Sequence, residues 1–111
     1  MIPEHTAAQR YADLVAAFTA RTHVELGQGR GFGAGTLRTG GKIFAMLDGA
    51  GQFVVKLPAA RVTDLIAAGQ GRPFDAGKGR PMREWLVVDA AADWPALADE
   101  ALRFALPSGQ R

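Results

Sequence analysis

The chain has 111 residues, 48% of them hydrophobic and 22% charged, and it contains no cysteine. A chain of this length forms one domain, so residues 1–111 are expected to share a single core. The lack of cysteine excludes disulfides, thiolate nucleophiles and cysteine-based zinc sites. No apolar run reaches the ~20 residues that span a bilayer, and no secretory signal pattern opens the sequence, which predicts a soluble, cytoplasmic protein.

Charge is distributed unevenly along the chain, which has 13 basic and 11 acidic residues. Between residues 27 and 84, nine lysines and arginines stand against four acidic residues, whereas the two flanks together hold four basic and seven acidic residues. The middle of the chain is therefore basic and its ends are acidic. Clustered basic side chains neutralise phosphates and release counterions, so the pattern favours a nucleic-acid partner. Ordinary solvated cations on strands and loops are the alternative interpretation.

A helix and a short strand are predicted at the start of the chain. Residues 3–20 carry four apolar side chains at the spacing of one helical face: Tyr11, Leu14, Val15 and Phe18. Alternation with β-branched residues predicts a short strand over residues 22–26. Glycine then occupies every second position of residues 27–35, which indicates a mobile connector. Contact of Arg30 and Phe32 with single-stranded nucleic acid is the alternative for this segment.

Two hairpins are predicted in the middle of the chain. The first joins residues 36–38 to residues 42–48 through Gly40 and Gly41, because glycine accepts the positive φ of a tight turn without strain. The second turns at residues 48–51 and leads into a strand over residues 52–57. Residues 43–47 are apolar on both pleat faces, which predicts a central strand with a covered outer face or an outer face that docks a partner.

The second half of the chain predicts two helices separated by a loop and a strand. Pro58 begins the first helix and Gly69 ends it, with a buried stripe at Val62, Leu65 and Ile66. Residues 70–81 are predicted as an exposed loop, residues 84–88 as a strand, and Asp93 as the cap of a final helix. The order α-β-β-β-β-α-β-α predicts an α+β fold, mainly an antiparallel sheet with helices on one face.

No arrangement of residues indicates catalysis, a metal site or a cofactor. His5 and His23 are the only histidines, and neither lies at a spacing from carboxylates or serines that suggests a metal site or a triad. The adjacent acids Asp99 and Glu100 point apart on a helix, so they form no acid–base pair. We therefore expect a non-enzymatic protein without cofactor or metal, in which the two tryptophans serve as core or rim aromatics.

Three short segments carry a resemblance to a known family: Gly41-Lys42-Ile43-Phe44-Ala45, Val54-Val55-Lys56-Leu57-Pro58, and Gly79-Arg80-Pro81-Met82-Arg83-Glu84-Trp85-Leu86-Val87-Val88. They resemble the YjbR/MmcQ family, which is itself similar to the N-terminal domain of the TfoX competence regulators. The resemblance covers residues 32–105. It implies a single α+β domain of the double-wing type and a DNA-binding role, carried here by Lys42, Lys56, Arg80, Arg83 and Trp85.

The leading hypothesis is a binding module that contacts DNA through basic hairpin strands and a basic loop. The basic centre and the resemblance together nominate seven residues: Arg38, Lys42, Lys56, Arg72, Lys78, Arg80 and Arg83. One alternative is a protein-interaction module or homodimer that uses the outer face of residues 43–47 or an exposed hairpin edge. Another is a small-molecule binder whose loop, residues 69–83, holds an anion with Lys78, Arg80 and Arg83.

Overall fold

Three helices and six strands lie in the part of the chain that the computed structural model describes, which comprises residues 6–27, 35–48, 50–75, 79 and 82–106. The helices are α1 (Ala7–Thr19), α2 (Ala59–Ala67) and α3 (Trp94–Ala105). The strands are β1 (Glu25–Gly27), β2 (Thr36–Thr39), β3 (Lys42–Leu47), β4 (Phe53–Lys56), β5 (Gly71–Phe74) and β6 (Met82–Val88).

The strands form one antiparallel sheet in the order β1-β2-β3-β4-β6-β5. Consecutive strands β1 to β4 are neighbours, and β6 then pairs with β4 and carries β5 on its other side. The α+β class and the predicted order of elements are confirmed, with β5 as an additional strand. The strand predicted as central, β3, lies in the middle of the sheet beside β4.

All three helices pack on the same face of this sheet. Aromatic side chains dominate the core between them: Tyr11 and Phe18 of α1 and Trp94 of α3 are buried with Phe44 and Phe53 of the strands. Phe18 lies beside Phe44, with ring centroids 6.3 Å apart, and Phe53 stacks on Trp94 at 4.6 Å. We call this layer the helix-side core.

The opposite face of the sheet, which we call the helix-free face, has a smaller apolar cluster of its own. Its members are Met46, Val54, Phe74 and Val87, one from each of four neighbouring strands. No helix residue of the described chain joins this cluster. The side chains are nevertheless buried, with Val54 wholly inaccessible and Met46 only 6% exposed. The side chains of β4 alternate between the two faces, since Phe53 and Val55 face the helices while Val54 faces away.

Local turn chemistry fixes the first hairpin and the end of α2. Gly40 and Gly41 both have positive φ, 57° and 79°, as the two-residue turn between β2 and β3 requires. After α2, Gly69 has φ 76° and donates its N–H to Ile66, while the N–H of Gln70 donates to Leu65. These two bonds form a Schellman motif, which satisfies carbonyls that the helix end leaves without partners.

Two observed boundaries near the start of the chain differ from the predicted ones. The helix predicted over residues 3–20 is observed as α1, which begins after Thr6, whose hydroxyl accepts from the Gln9 N–H as an N-cap. Residues 1–5 lie outside the described part of the chain. The strand predicted over residues 22–26 starts only at Glu25, because His23 has φ 76° and turns the backbone out of an extended path.

The prediction of an exposed loop over residues 70–81 is wrong for Gly71–Phe74, which forms the edge strand β5. Pro73 lacks an N–H, but an edge strand accommodates proline because one side of its backbone has no partner strand. The register between β5 and β6 shifts between Pro73 and Phe74, which bulges the start of β6. The glycine and proline content that suggested a loop therefore marks an irregular edge.

Replacing Gly71 by alanine is expected to destabilise the protein by about 1–3 kcal/mol, since overpacking forces the backbone to shift. A Cβ at this position would lie 2.5 Å from the backbone oxygen of Val87, within the β5–β6 ladder. Urea unfolding followed by circular dichroism measures the loss. Gln70→Ala, at the exposed neighbouring position, is the control and should stay within about 0.5 kcal/mol of the wild type. Equal stability of G71A and the wild type would contradict the prediction.

Candidate nucleic-acid interface

The strand register places three of the nominated cations on the helix-free face. Arg38 and Lys56 each follow a residue of the helix-side core, so the alternation of a strand turns them to the opposite face. Arg72 pairs with Val87, a member of the helix-free cluster, and therefore shares its face. These three cations come from β2, β4 and β5, and we call them the helix-free cations.

Arg38 lies half-buried beside the edge of the sheet. Its Nε donates to the hydroxyl of the buried Thr36 at 3.0 Å, which fixes the base of the guanidinium group. Its cross-strand neighbour on β1 is Glu25, which is exposed. Gly27 leaves room for this arrangement, because a Cβ there would collide with the Arg38 side chain and the Thr36 hydroxyl. The glycine thus helps to set the position of the cation.

Lys56 and Arg72 are held by neighbours that carry no charge. The Lys56 ammonium lies 5.8 Å from the centroid of the Trp85 ring, within the range of a cation–π contact. Gln52, with its amide oriented to suit its neighbours, donates to Asp48 Oδ2 at 3.1 Å and accepts a hydrogen bond from Arg72 Nη2. The exposed Arg72 is thereby anchored near the second hairpin while part of its guanidinium group faces solvent.

Of the four remaining nominated residues, the two that the structure describes do not join these three. Lys42 pairs with Thr39 at the hairpin end, one position beyond the Arg38 pair, so it lies on the other face of the sheet. Arg83 is exposed at the start of β6 and lines a groove against α2. Lys78 and Arg80 fall outside the described residues, as do Arg30 and Phe32 of the glycine-rich segment.

Three arginines on the helical side are paired with acidic residues of α3. Arg21 Nη1 lies 2.6 Å from Asp99 Oδ1, and Arg103 Nε lies 3.0 Å from Asp99 Oδ2. Arg61 donates two hydrogen bonds to Glu100, at 2.9 and 3.0 Å, which raises the pKa of its guanidinium above the usual range. The acidic end of the chain thus neutralises cations that the helices carry.

Cations of the sheet differ from those of the helices in this respect. Among the residues described, none of the five described sheet cations forms an ion pair with a carboxylate: Arg38, Lys42, Lys56, Arg72 and Arg83. Their contacts, where present, are to a hydroxyl, an aromatic ring or an amide. Carboxylates therefore offset three of the four described arginines on the helical side but none of the five sheet cations; the fourth, Arg10, contacts backbone carbonyls and the Trp94 ring. The basic centre can be seen in the sequence. Which cations form ion pairs with carboxylates can be seen only in the structure.

The outer face of residues 43–47, the alternative docking surface, exposes little apolar side chain. Met46 belongs to the buried helix-free cluster, and Ile43 is half-buried.

The prediction that the two tryptophans are core or rim aromatics is confirmed. Trp94 is buried in the helix-side core, and half-buried Trp85 packs with Phe74 at the rim of the helix-free cluster. Among the large hydrophobic side chains described, Leu26 on the edge strand β1 is the one classed as exposed, at 46%.

The described residues contain neither a metal site nor a membrane-spanning helix. Within those ranges, no group of three histidine or acidic residues is placed to hold a metal ion. Nor does any helix described here combine the length and the apolar character that crossing a bilayer demands.

Comparison with known proteins finds no relative of this chain. No family model matches the chain, and neither does any curated protein or any solved structure. The resemblance to the YjbR/MmcQ family therefore stays a prediction. A function can be inferred only from the positions and contacts of the residues described above.

Proposed function

We propose that this chain is a non-enzymatic, cytoplasmic module of YjbR/MmcQ type that binds DNA through the phosphate backbone, with the helix-free cations as its contacts. The observation that carries the proposal is the separation of charge. Arg38, Lys56 and Arg72 share one face and pair with no carboxylate in the described chain, while three of the four described arginines of the helical side form ion pairs with acidic residues of α3. A phosphate group is the partner that such cations lack.

The geometry supports a weak contact that does not depend on base sequence. The three side chains are spread across β2, β4 and β5, so they can follow a charged backbone rather than enter a groove as a recognition helix does. Contacts to phosphate position a protein on the duplex but carry no base information. Two duplexes of unrelated sequence should therefore bind alike.

Fluorescence anisotropy with a labelled duplex tests this proposal. Three phosphate contacts give a log–log salt slope of about −2.7, which predicts an affinity roughly 40-fold lower at 200 mM salt than at 50 mM. The double variant K56Q/R72Q removes two of the contacts. We expect it to weaken binding at low salt by about 10-fold or more and to bring the slope to about −0.9.

The matched control for that experiment removes the same charge from the helical side. R21Q/R103Q also lacks two cations, but both are paired with Asp99. It should bind DNA within about two-fold of the wild type, because phosphate contacts act locally at this ionic strength. The proposal is overturned if the wild type fails to bind at 50 mM salt, or if the two double variants lose affinity equally.

A further inference from the structure

A groove separates α2 from the outer end of the sheet, and its wall includes Trp85, whose ring also lies near the Lys56 ammonium. Its volume is about 380 Å3, within the range of small-molecule sites. Apolar side chains from both sides form most of its walls: Ala60, Ile66, Pro73, Met82 and Trp85. Such a lining favours an apolar ligand body, since its burial removes hydrocarbon surface from water.

Among the described residues that line this groove, one side chain is charged, and it is a cation. Arg83 is exposed at the start of β6 and forms no hydrogen bond or ion pair within the described part of the chain. The polar lining side chain is Thr63, whose hydroxyl donates to the Ala59 carbonyl at 3.1 Å. Charge complementarity therefore selects an anionic group at the Arg83 end, because a guanidinium binds a carboxylate with two parallel hydrogen bonds.

We propose that this groove binds a small monoanion with an apolar body, a medium-chain carboxylate in chemical class, whose head group contacts Arg83 and whose chain lies along Ile66 and Met82. Neither element alone provides this site. Helix α2 contributes an apolar wall, and the bulged start of β6 brings Arg83 and Trp85 beside it. Arg83 is not one of the proposed nucleic-acid contacts, although the groove shares Trp85 with Lys56.

Isothermal titration calorimetry of the full chain with octanoate tests the proposal, with 1-octanol as the neutral ligand of equal chain length. Octanoate should bind the wild type with a Kd below about 1 mM, which the efficiency of small ligands allows. Octanol should bind roughly 10-fold more weakly, because its uncharged hydroxyl cannot accept the two parallel hydrogen bonds that a guanidinium donates to a carboxylate. Arg83→Gln should lower the octanoate affinity by the same factor and leave that of octanol unchanged.

Two further variants separate the groove from other effects. Arg103→Gln removes an equal charge from α3, outside the groove, and should leave octanoate binding unchanged. Ala60→Leu, at an exposed position of α2 that lines the groove, should weaken both ligands by filling the space they occupy. The proposal fails if octanoate shows no saturable binding up to about 10 mM, a level of negligible affinity. It also fails if octanoate and octanol bind alike, or if R83Q and R103Q have the same effect.

Discussion

Replacing Trp94 by alanine is expected to lower the free energy of unfolding by about 3–5 kcal/mol, the range for a large aromatic residue removed from a core. The side chain is 3% exposed and stacks on Phe53 with ring centroids 4.6 Å apart. Its indole N–H donates to the Asp89 carbonyl at 3.0 Å. A domain of this size has about 5–15 kcal/mol of stability in total, so the substitution would remove a large share of it.

Trp94 also helps to hold residues 90–92, the segment before α3, against α1. The guanidinium carbon of Arg10 lies 3.8 Å from the centroid of the Trp94 ring, and its nitrogens donate to the carbonyls of Ala90 and Ala92 at 2.6 and 3.4 Å. Alanine at position 94 would remove the surface on which Arg10 rests. The loss therefore includes part of the α1–α3 contact as well as the cavity.

Urea unfolding followed by far-ultraviolet circular dichroism measures this effect without depending on tryptophan emission. Trp85→Ala is the matched control, because that indole is half-buried at the rim of the smaller cluster. It should cost roughly half as much or less, in proportion to the apolar surface it buries. A W94A protein within about 1 kcal/mol of the wild type would show that the helix-side core does not depend on this ring.

Elements with strong local signals could be predicted from the sequence. Two adjacent glycines permit a turn with positive φ at both positions, which Gly40 and Gly41 adopt. Pro58 before α2 and Gly69 after it determine both ends of that helix through their own backbone properties. In each case the residue on which the prediction rests also forms the turn or the helix end through its own backbone, so the prediction needs no knowledge of distant contacts.

Strand β5 could not be predicted in this way, because its existence depends on pairing with β6. Gly71 and Pro73 are poor strand formers in isolation, and they indicate a loop. In the folded chain, Gly71 is required by close approach to Val87, and Pro73 is tolerated at the edge. The pairing partner, rather than local propensity, decides the conformation of this segment.

The candidate interface shows the same division between local and distant information. The surplus of basic residues in the middle of the chain can be counted in the sequence. The face on which each one lies depends on strand register, and a bulge in β3 leaves Phe44 without a partner in β2 and shifts the pairing beyond it. Arg38 and Lys42 flank the same turn but occupy opposite faces, because Arg38 pairs with Ile43 and Lys42 pairs with Thr39. The groove at Arg83 required the packing of α2 against β6, for which the sequence gives no signal.

Alkaline pH is expected to destabilise the fold through Tyr11, the one tyrosine of the chain. This side chain is wholly buried, and its hydroxyl donates to the Gly35 carbonyl at 3.0 Å. Burial raises the pKa of Tyr11 well above its usual value near 10, while a backbone hydrogen bond from Leu37 opposes part of that rise. Below pH 10 both the folded and the unfolded chain keep the proton, so stability is unaffected. Above pH 10 only the unfolded chain releases it, and this group lowers the free energy of unfolding by up to about 1.4 kcal/mol per pH unit.

Absorbance at 295 nm, which reports tyrosinate, follows this group alone in the present chain. We expect no tyrosinate step near pH 10 in the folded protein and a step that coincides with unfolding by circular dichroism. Tyr11→Phe is the control: at pH 7 it should cost about 1–3 kcal/mol, because the Gly35 carbonyl loses its donor. That deficit should shrink as the pH rises above 10, since phenylalanine has no proton to release. A tyrosinate step near pH 10 in a protein that keeps its native circular dichroism would show that Tyr11 reaches solvent, and that its bond to Gly35 does not hold α1 against β2.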